Sequence, residues 1–170
     1  MKNARFFGRL FFVGVIVTAF VPLSRADASA QTAAPSTLQI RIDVPPTWRP
    51  FLEDDVAVGL FSRISDTFKR RGFKGDMVQL DRMDQAKAGL PVLQINLMEW
   101  RISRIGNVDC TFSATFQNGG KSENLGLFNG TSMLWISTPN HRWQIEQGLD
   151  DSAQSAIKDL YAKLRDKKLL

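Results

Sequence analysis

The chain has 170 residues, of which 44% are hydrophobic and 23% charged, values of one ordinary globular domain that exclude disorder, collagen and a coiled coil. A single Cys excludes a disulfide scaffold and a multi-Cys zinc site, and a single His leaves one candidate for any His-based triad. The net charge of +5 falls largely on residues 1–30, which hold four of the 22 Lys and Arg and one of the 17 acids, so it does not indicate nucleic-acid binding.

The first thirty residues have the three parts of a secretory signal peptide. Three bases precede an apolar run over residues 10–21, and the small residues Ala28, Ser29 and Ala30 follow it. The run is shorter than the roughly 17 residues that a spanning helix needs. We predict cleavage after Ala30, with Ala26 as the alternative site and an uncleaved anchor as the rival. The protein is then periplasmic, and it carries no lipid because no Cys lies near the exit.

The remaining chain is long enough for one hydrophobic core and too short for two. It shows no internal repeat and no second zone of composition. We predict a signal peptide over residues 1–30, a flexible linker over 31–37, a single domain over 38–166 and a basic tail over 167–170.

A strand and a helix open the predicted domain. Apolar and polar residues alternate from Leu38 to Val44, the period of two that places one strand face on a core. An apolar residue then recurs every fourth position from Leu52 to Phe68, as on one face of a helix. Acids at the start of this segment, and bases followed by Gly72 at its end, agree with that helix.

A short strand over 77–80, a polar loop over 81–89 and a long strand over 91–102 follow. The apolar residues of the long strand change parity between Leu97 and Met98. One face can hold both sets only if a residue is inserted, so we predict a β-bulge at this point.

Two more strands and a helix complete the predicted domain. Cys110 and its apolar neighbours alternate with polar residues over 108–116, and the next strand covers 124–136. The dipeptide Asn129-Gly130 interrupts this strand, and we interpret it as a bulge or bend, with a second tight hairpin as the alternative. An apolar stripe of helical period over 149–164 predicts the closing helix.

The predicted fold is a two-layer α+β domain of order β-α-β-β-β-β-α. Two amphipathic helices each need an apolar surface, and a mostly antiparallel sheet with one apolar face provides it for both. The opposite sheet face should be polar, and it is either solvated or a contact surface. Its predicted residues are Arg41, Asp43, Glu99, Arg101, Ser103, Asp109, Thr111, Ser113 and Thr115.

Candidate catalytic groups are few. Cys110 and His141 are the only possible thiol and imidazole pair, but Cys110 has the parity of the core residues, and His141 falls in a predicted loop. Acids on the polar face more simply form cross-strand ion pairs with Arg41 and Arg101 than a catalytic pair. No acid spacing fits a calcium loop, and no Gly-rich loop fits a nucleotide. We therefore expect no metal and no cofactor.

Two of the four Trp residues lie in segments predicted to link elements. Trp48 and Trp143 stand just before the two helices, where an exposed aromatic could anchor a partner. The alternative is that they cover the helix ends as hydrophobic plugs.

An exported chain of this size and element order resembles the small cell-envelope α/β families of Gram-negative bacteria. The lipopolysaccharide-assembly lipoprotein family and periplasmic domains of unknown function are of that kind. The resemblance covers most of residues 38–166 and rests on element order. This chain departs from the lipoprotein type because it lacks the Cys that would be acylated.

These features predict a non-enzymatic envelope protein that binds a protein, a polymer or the membrane surface. The polar sheet face or a strand edge would make the contact, with Arg41, Glu99 and Arg101 on the face and Trp48 and Trp143 at its rim. The alternatives are a hydrolase that uses Cys110 and His141, and a carrier of a small apolar ligand held between helices and sheet.

Overall fold

Five strands and two helices follow one another in the predicted order. The computed structural model describes residues 37–46, 53–103, 106–134 and 141–170. The predicted signal peptide, most of the linker and Trp48 lie outside these residues. The elements are β1 (Thr37–Asp43), α1 (Glu53–Arg70), β2 (Asp76–Leu80), β3 (Val92–Ile102), β4 (Asn107–Asn118), β5 (Lys121–Met133) and α2 (His141–Asp166).

The strands form one mixed sheet in the order β2-β1-β3-β4-β5. The antiparallel pairings β3–β4 and β4–β5 hold most of the paired residues. β1 instead runs parallel to both of its neighbours, β2 and β3. The chain returns through α1 before it enters β2, and such a crossover makes the two flanking strands parallel.

Both helices pack on the same face of the sheet, as predicted. Leu60, Ile64 and Phe68 of α1 are fully buried in one hydrophobic core with residues of α2 and the sheet. The ring of Tyr161 in α2 contacts Phe68, and its hydroxyl donates a hydrogen bond of 3.0 Å to the carbonyl of Arg71. The two helices therefore form a single layer over the sheet.

The sheet contains two irregularities, of which the sequence predicted one. The β3–β4 register shifts between Leu97 and Glu99, which confirms the bulge predicted there. A second shift lies in β5 at Leu125, next to Gly126, whose φ of +100° suits glycine. β5 continues without a break through Asn129-Gly130, which confirms the single long strand and shows that the hairpin alternative is wrong. The bulge of this strand lies at Leu125, four residues before that dipeptide.

Gly130 has a packing role that the sequence did not reveal. A Cβ atom at this position would lie 2.0 Å from the carbonyl oxygen of Ser152 and 2.7 Å from the amide nitrogen of Ala156. The backbones of β5 and α2 thus approach each other more closely than any side chain would allow.

α2 begins eight residues before its predicted start. His141 and Trp143, predicted to lie in a loop, belong to its first turn. Asp150 therefore lies in the interior of α2, where it forms an ion pair with Arg63 of α1. Residues 141–148 are mostly polar, and only Ile145 continues the apolar stripe of 149–164 whereas Trp143 is exposed, so the helical period is weak there.

Candidate functional site

The sheet face opposite the helices is a regular array of polar side chains. We call it the outer face, and its rows follow from strand register, because directly paired residues point to the same side. Three successive rows across β3, β4 and β5 are Asn96–Ser113–Leu127, Glu99–Thr111–Asn129 and Arg101–Asp109–Thr131.

Side chains in these rows hydrogen-bond across the strands. The Thr111 hydroxyl donates to the Asn129 amide oxygen at 3.1 Å, and the Thr131 hydroxyl donates to the Asp109 carboxylate at 3.0 Å. Arg101 forms an ion pair with Glu99, and the Arg101 side chain remains 75% exposed. The predicted polar face is therefore present, and Glu99 and Arg101 contact each other on the part of it formed by β3–β5.

Large apolar residues are also exposed on or beside the part of this face formed by β3–β5. Leu127 is 62% exposed, Met98 60% and Met133 58%. The sequence pattern assigned Leu127 and Met133 to an apolar strand without predicting that they are exposed. The bulge at Leu125 explains the difference for Leu127: one inserted residue exchanges the two sides of the strand, so that Leu125 and Phe128 enter the core and Leu127 points outward.

Arg41 lies at the covered half of the sheet, away from Glu99 and Arg101. The loop of residues 81–91 crosses β1 and β2 there, and an Nη atom of Arg41 donates a hydrogen bond to the carbonyl of Asp84. Gln39, only 1% exposed, fixes the same loop: its amide oxygen accepts from the Lys87 N–H at 2.8 Å, and its amide nitrogen donates to the Lys87 carbonyl at 3.2 Å. The loop thus covers part of the outer face on β1 and β2, whereas the face is open along β3–β5.

Replacing Gln39 with Ala should release this loop. Two hydrogen bonds to Lys87 are lost, at a cost of about 1 kcal/mol each. We expect the Lys87 amide to exchange its hydrogen at least about tenfold faster, as this free energy implies, while β4 amides stay protected. Gln94→Ala is the control, because Gln94 bonds to Asp43 and not to the loop. Equal exchange in both variants would contradict the tether.

The predicted rim is only partly described. Trp143 is 62% exposed on the first turn of α2, which agrees with an accessible aromatic. Trp48 and the side chain of His141 lie outside the described residues. Trp100 packs at the helix–sheet boundary, where its indole N–H donates to the Leu149 carbonyl at 3.0 Å and Arg63 lies 5.1 Å from its ring centre.

Cys110 is a core residue, as its parity predicted. Its side chain is fully buried, and burial raises the pKa of the Cys110 thiol to about 12, although the charge of Arg63 acts in the opposite direction. A nucleophilic Cys needs a low pKa and an accessible sulfur. The geometry therefore does not support the hydrolase alternative.

A cavity at one end of the described domain also fails to match an apolar carrier. It has a volume of about 370 Å³ and lies at the carboxyl ends of β1 and β2 beside the first turns of α1. Asp43, Asp54, Asp81 and Arg82 line it, and none of its lining residues is Phe. Within the described ranges, no group of three or more His, Cys, Asp or Glu could hold a metal ion, and neither helix could cross a membrane.

Comparisons with known proteins identify the fold alone. No family model and no curated protein matches the chain. A crystal structure of an uncharacterized protein is 9% identical and covers 77% of this chain and 93% of its own, with a TM-score of 0.55. Protein XCC0632 from Xanthomonas campestris, of the family DUF330, is 10% identical and covers 81% and 89%, with a TM-score of 0.51.

Other solved structures match less well. A PelC dodecamer from Paraburkholderia phytofirmans is 19% identical and covers 77% of this chain and 88% of its own, with a TM-score of 0.49. Matches with lower scores include proteins described as lipoproteins. The class that the fold defines is therefore a mixed α+β domain with two helices on one face of a five-stranded sheet.

Proposed function

We propose that this protein is a non-enzymatic module of the bacterial envelope that binds another envelope protein through the open half of its outer face. The export signal predicted over residues 1–30 supports a periplasmic location. The observation that carries the proposal is the combination, along β3–β5, of exposed Leu127 and Met98 with ordered polar rows. Exposed apolar residues rimmed by polar groups are typical of protein contact surfaces.

The free edge of β5 adds a second means of contact. β5 is the last strand of the sheet, so one side of its backbone has no partner strand among the described residues. A partner strand can pair with such an edge through main-chain hydrogen bonds. The close packing of Gly130 against α2 holds β5 in place, and a rigid strand loses little entropy on binding.

Site-specific crosslinking in whole cells tests which surface is used. A photoreactive residue in place of Leu127 should form an adduct with an envelope protein. The same residue in place of Ser155, which is exposed on the helix side, should not. Adducts from Ser155 alone would contradict the proposal, and attachment to a polysaccharide instead of a protein would show that the partner is a polymer.

Charge reversal at Arg101 should weaken this contact without unfolding the domain. Arg101→Glu places a third acid beside Glu99 and Asp109 on the open face. We expect the yield of the Leu127 adduct to fall about tenfold, the effect of losing about 1.4 kcal/mol of binding free energy. Lys158→Glu on the exposed side of α2 is the control. An unchanged yield for Arg101→Glu, with an unchanged melting temperature, would remove the outer face from consideration.

A further inference from the structure

The tertiary structure gathers positive charge at one end of the domain. We call this the basic end. Arg63 of α1 contacts Asp150 of α2, and Phe68, later in α1, contacts Tyr161, later in α2. The two helices therefore run parallel and end at the same end of the domain. Its exposed bases are Lys69, Arg70, Arg71, Lys74, Lys121, Lys163, Arg165, Lys167 and Lys168.

Strand contacts fix which end this is. Lys167, just after α2, forms an ion pair with Glu123 near the start of β5. β5 starts beside the end of β4, where Asn118 pairs with Lys121. The segment after α1 leads directly to Asp76, which pairs with Thr37 at the start of β1. Both helix ends therefore meet the first residues of β1, β2 and β5.

The charge is strongly uneven between the two ends. Four acids, Asp66, Asp76, Glu123 and Asp166, accompany the nine bases of the basic end, and in the described part of the chain only Lys167 of these bases forms an ion pair. The opposite end carries three acids, Asp43, Asp54 and Asp81, and one base, Arg82, around the cavity described above. A domain whose total charge is nearly balanced thus presents one cationic surface.

Helix dipoles explain part of this pattern only. Cations near a helix C-terminus are stabilising within its last turn. Lys74 and Lys121 lie outside both helices, in the turn before β2 and at the start of β5. Their position at the same end requires another reason.

The chain enters the domain at the basic end. Thr37 begins β1 there, and the apolar run over residues 10–21 precedes it in the sequence.

From these observations we infer that the basic end docks on the anionic phospholipid surface of a membrane. Phosphate headgroups attract clustered Lys and Arg within about one Debye length, so the cationic surface of the basic end matches the charge of such a membrane. This contact goes beyond the proposed function, because it uses a different surface from the outer face. It would leave β3–β5 free to bind a protein partner.

Vesicle binding of matched double variants tests the inference. The full chain is mixed with vesicles of neutral phosphatidylcholine or with vesicles containing phosphatidylglycerol, and the bound fraction is measured by sedimentation. Arg70→Gln with Arg165→Gln removes two charges from the basic end, and Arg82→Gln with Arg142→Gln removes two from exposed positions elsewhere. All forms share the same first thirty residues, so any contribution of that segment cancels in the comparison.

We expect the basic-end variant to lose about 25-fold of its preference for anionic vesicles, about fivefold per charge. The control variant should lose much less, and added salt should reduce the difference. A fluorescent probe on Ala162→Cys should report a shift to an apolar environment on these vesicles, whereas one on Gln147→Cys should not. Equal losses in the two variants, no loss in either, or binding to a soluble polyanion without binding to vesicles would each overturn the inference.

Discussion

Cys110 is expected to resist alkylation in the native protein and to react readily once the chain is unfolded. Burial raises the pKa of its thiol from 9.0 to about 12, which reduces the reactive thiolate about a thousandfold at neutral pH, in addition to steric exclusion. Mass spectrometry after timed treatment with iodoacetamide measures this, with the protein in urea as the control. Because Cys110 is the only Cys, every adduct reports this site.

Rapid alkylation of the native protein would instead favour the hydrolase alternative.

The same pKa shift of the Cys110 thiol predicts how the stability of the domain depends on pH. Above pH 9.0 the unfolded chain loses the Cys110 proton while the folded chain keeps it until about pH 12, so the free energy of unfolding should decrease over that range. Cys110→Ala should show a smaller decrease, and identical slopes for the two proteins would contradict the assignment.

Gly130→Ala should destabilise the domain by about 3 kcal/mol or more, because overpacking a close contact moves the backbone. The added Cβ would lie 2.0 Å from the Ser152 carbonyl oxygen, and the obstructing atoms belong to the α2 backbone and cannot rotate away. Urea unfolding measures the change. Since α2 holds β5, crosslinking from Leu127 should fall as well.

Gly59→Ala is the matched control in a helix. Its added Cβ would meet only the end of the Arg63 side chain, at 3.4 Å. Replacing a helical glycine with alanine stabilises by roughly 0.5–1 kcal/mol. If both variants changed stability equally, the close approach of β5 and α2 would not be the cause.

The outer face shows which side-chain orientations a sequence pattern can predict and which it cannot. Alternation along β4 correctly placed Cys110 in the core and Asp109 outside, because strand parity is a local property. The same reasoning gave no sign that Leu127 points outward, since the bulge at Leu125 depends on how β5 pairs with β4. Arg41 had the correct parity, yet a loop more than forty residues away in the sequence covers that part of the sheet.

Local sequence determined the element order, the apolar face of each helix and the alternation of the strands, because these follow from contacts between near neighbours in the chain. Only the tertiary structure decided which strands run parallel, which half of the polar face stays open and that both basic helix ends meet. Those features depend on pairings between distant residues, such as Thr37 with Asp76 and Lys167 with Glu123, which no local period encodes.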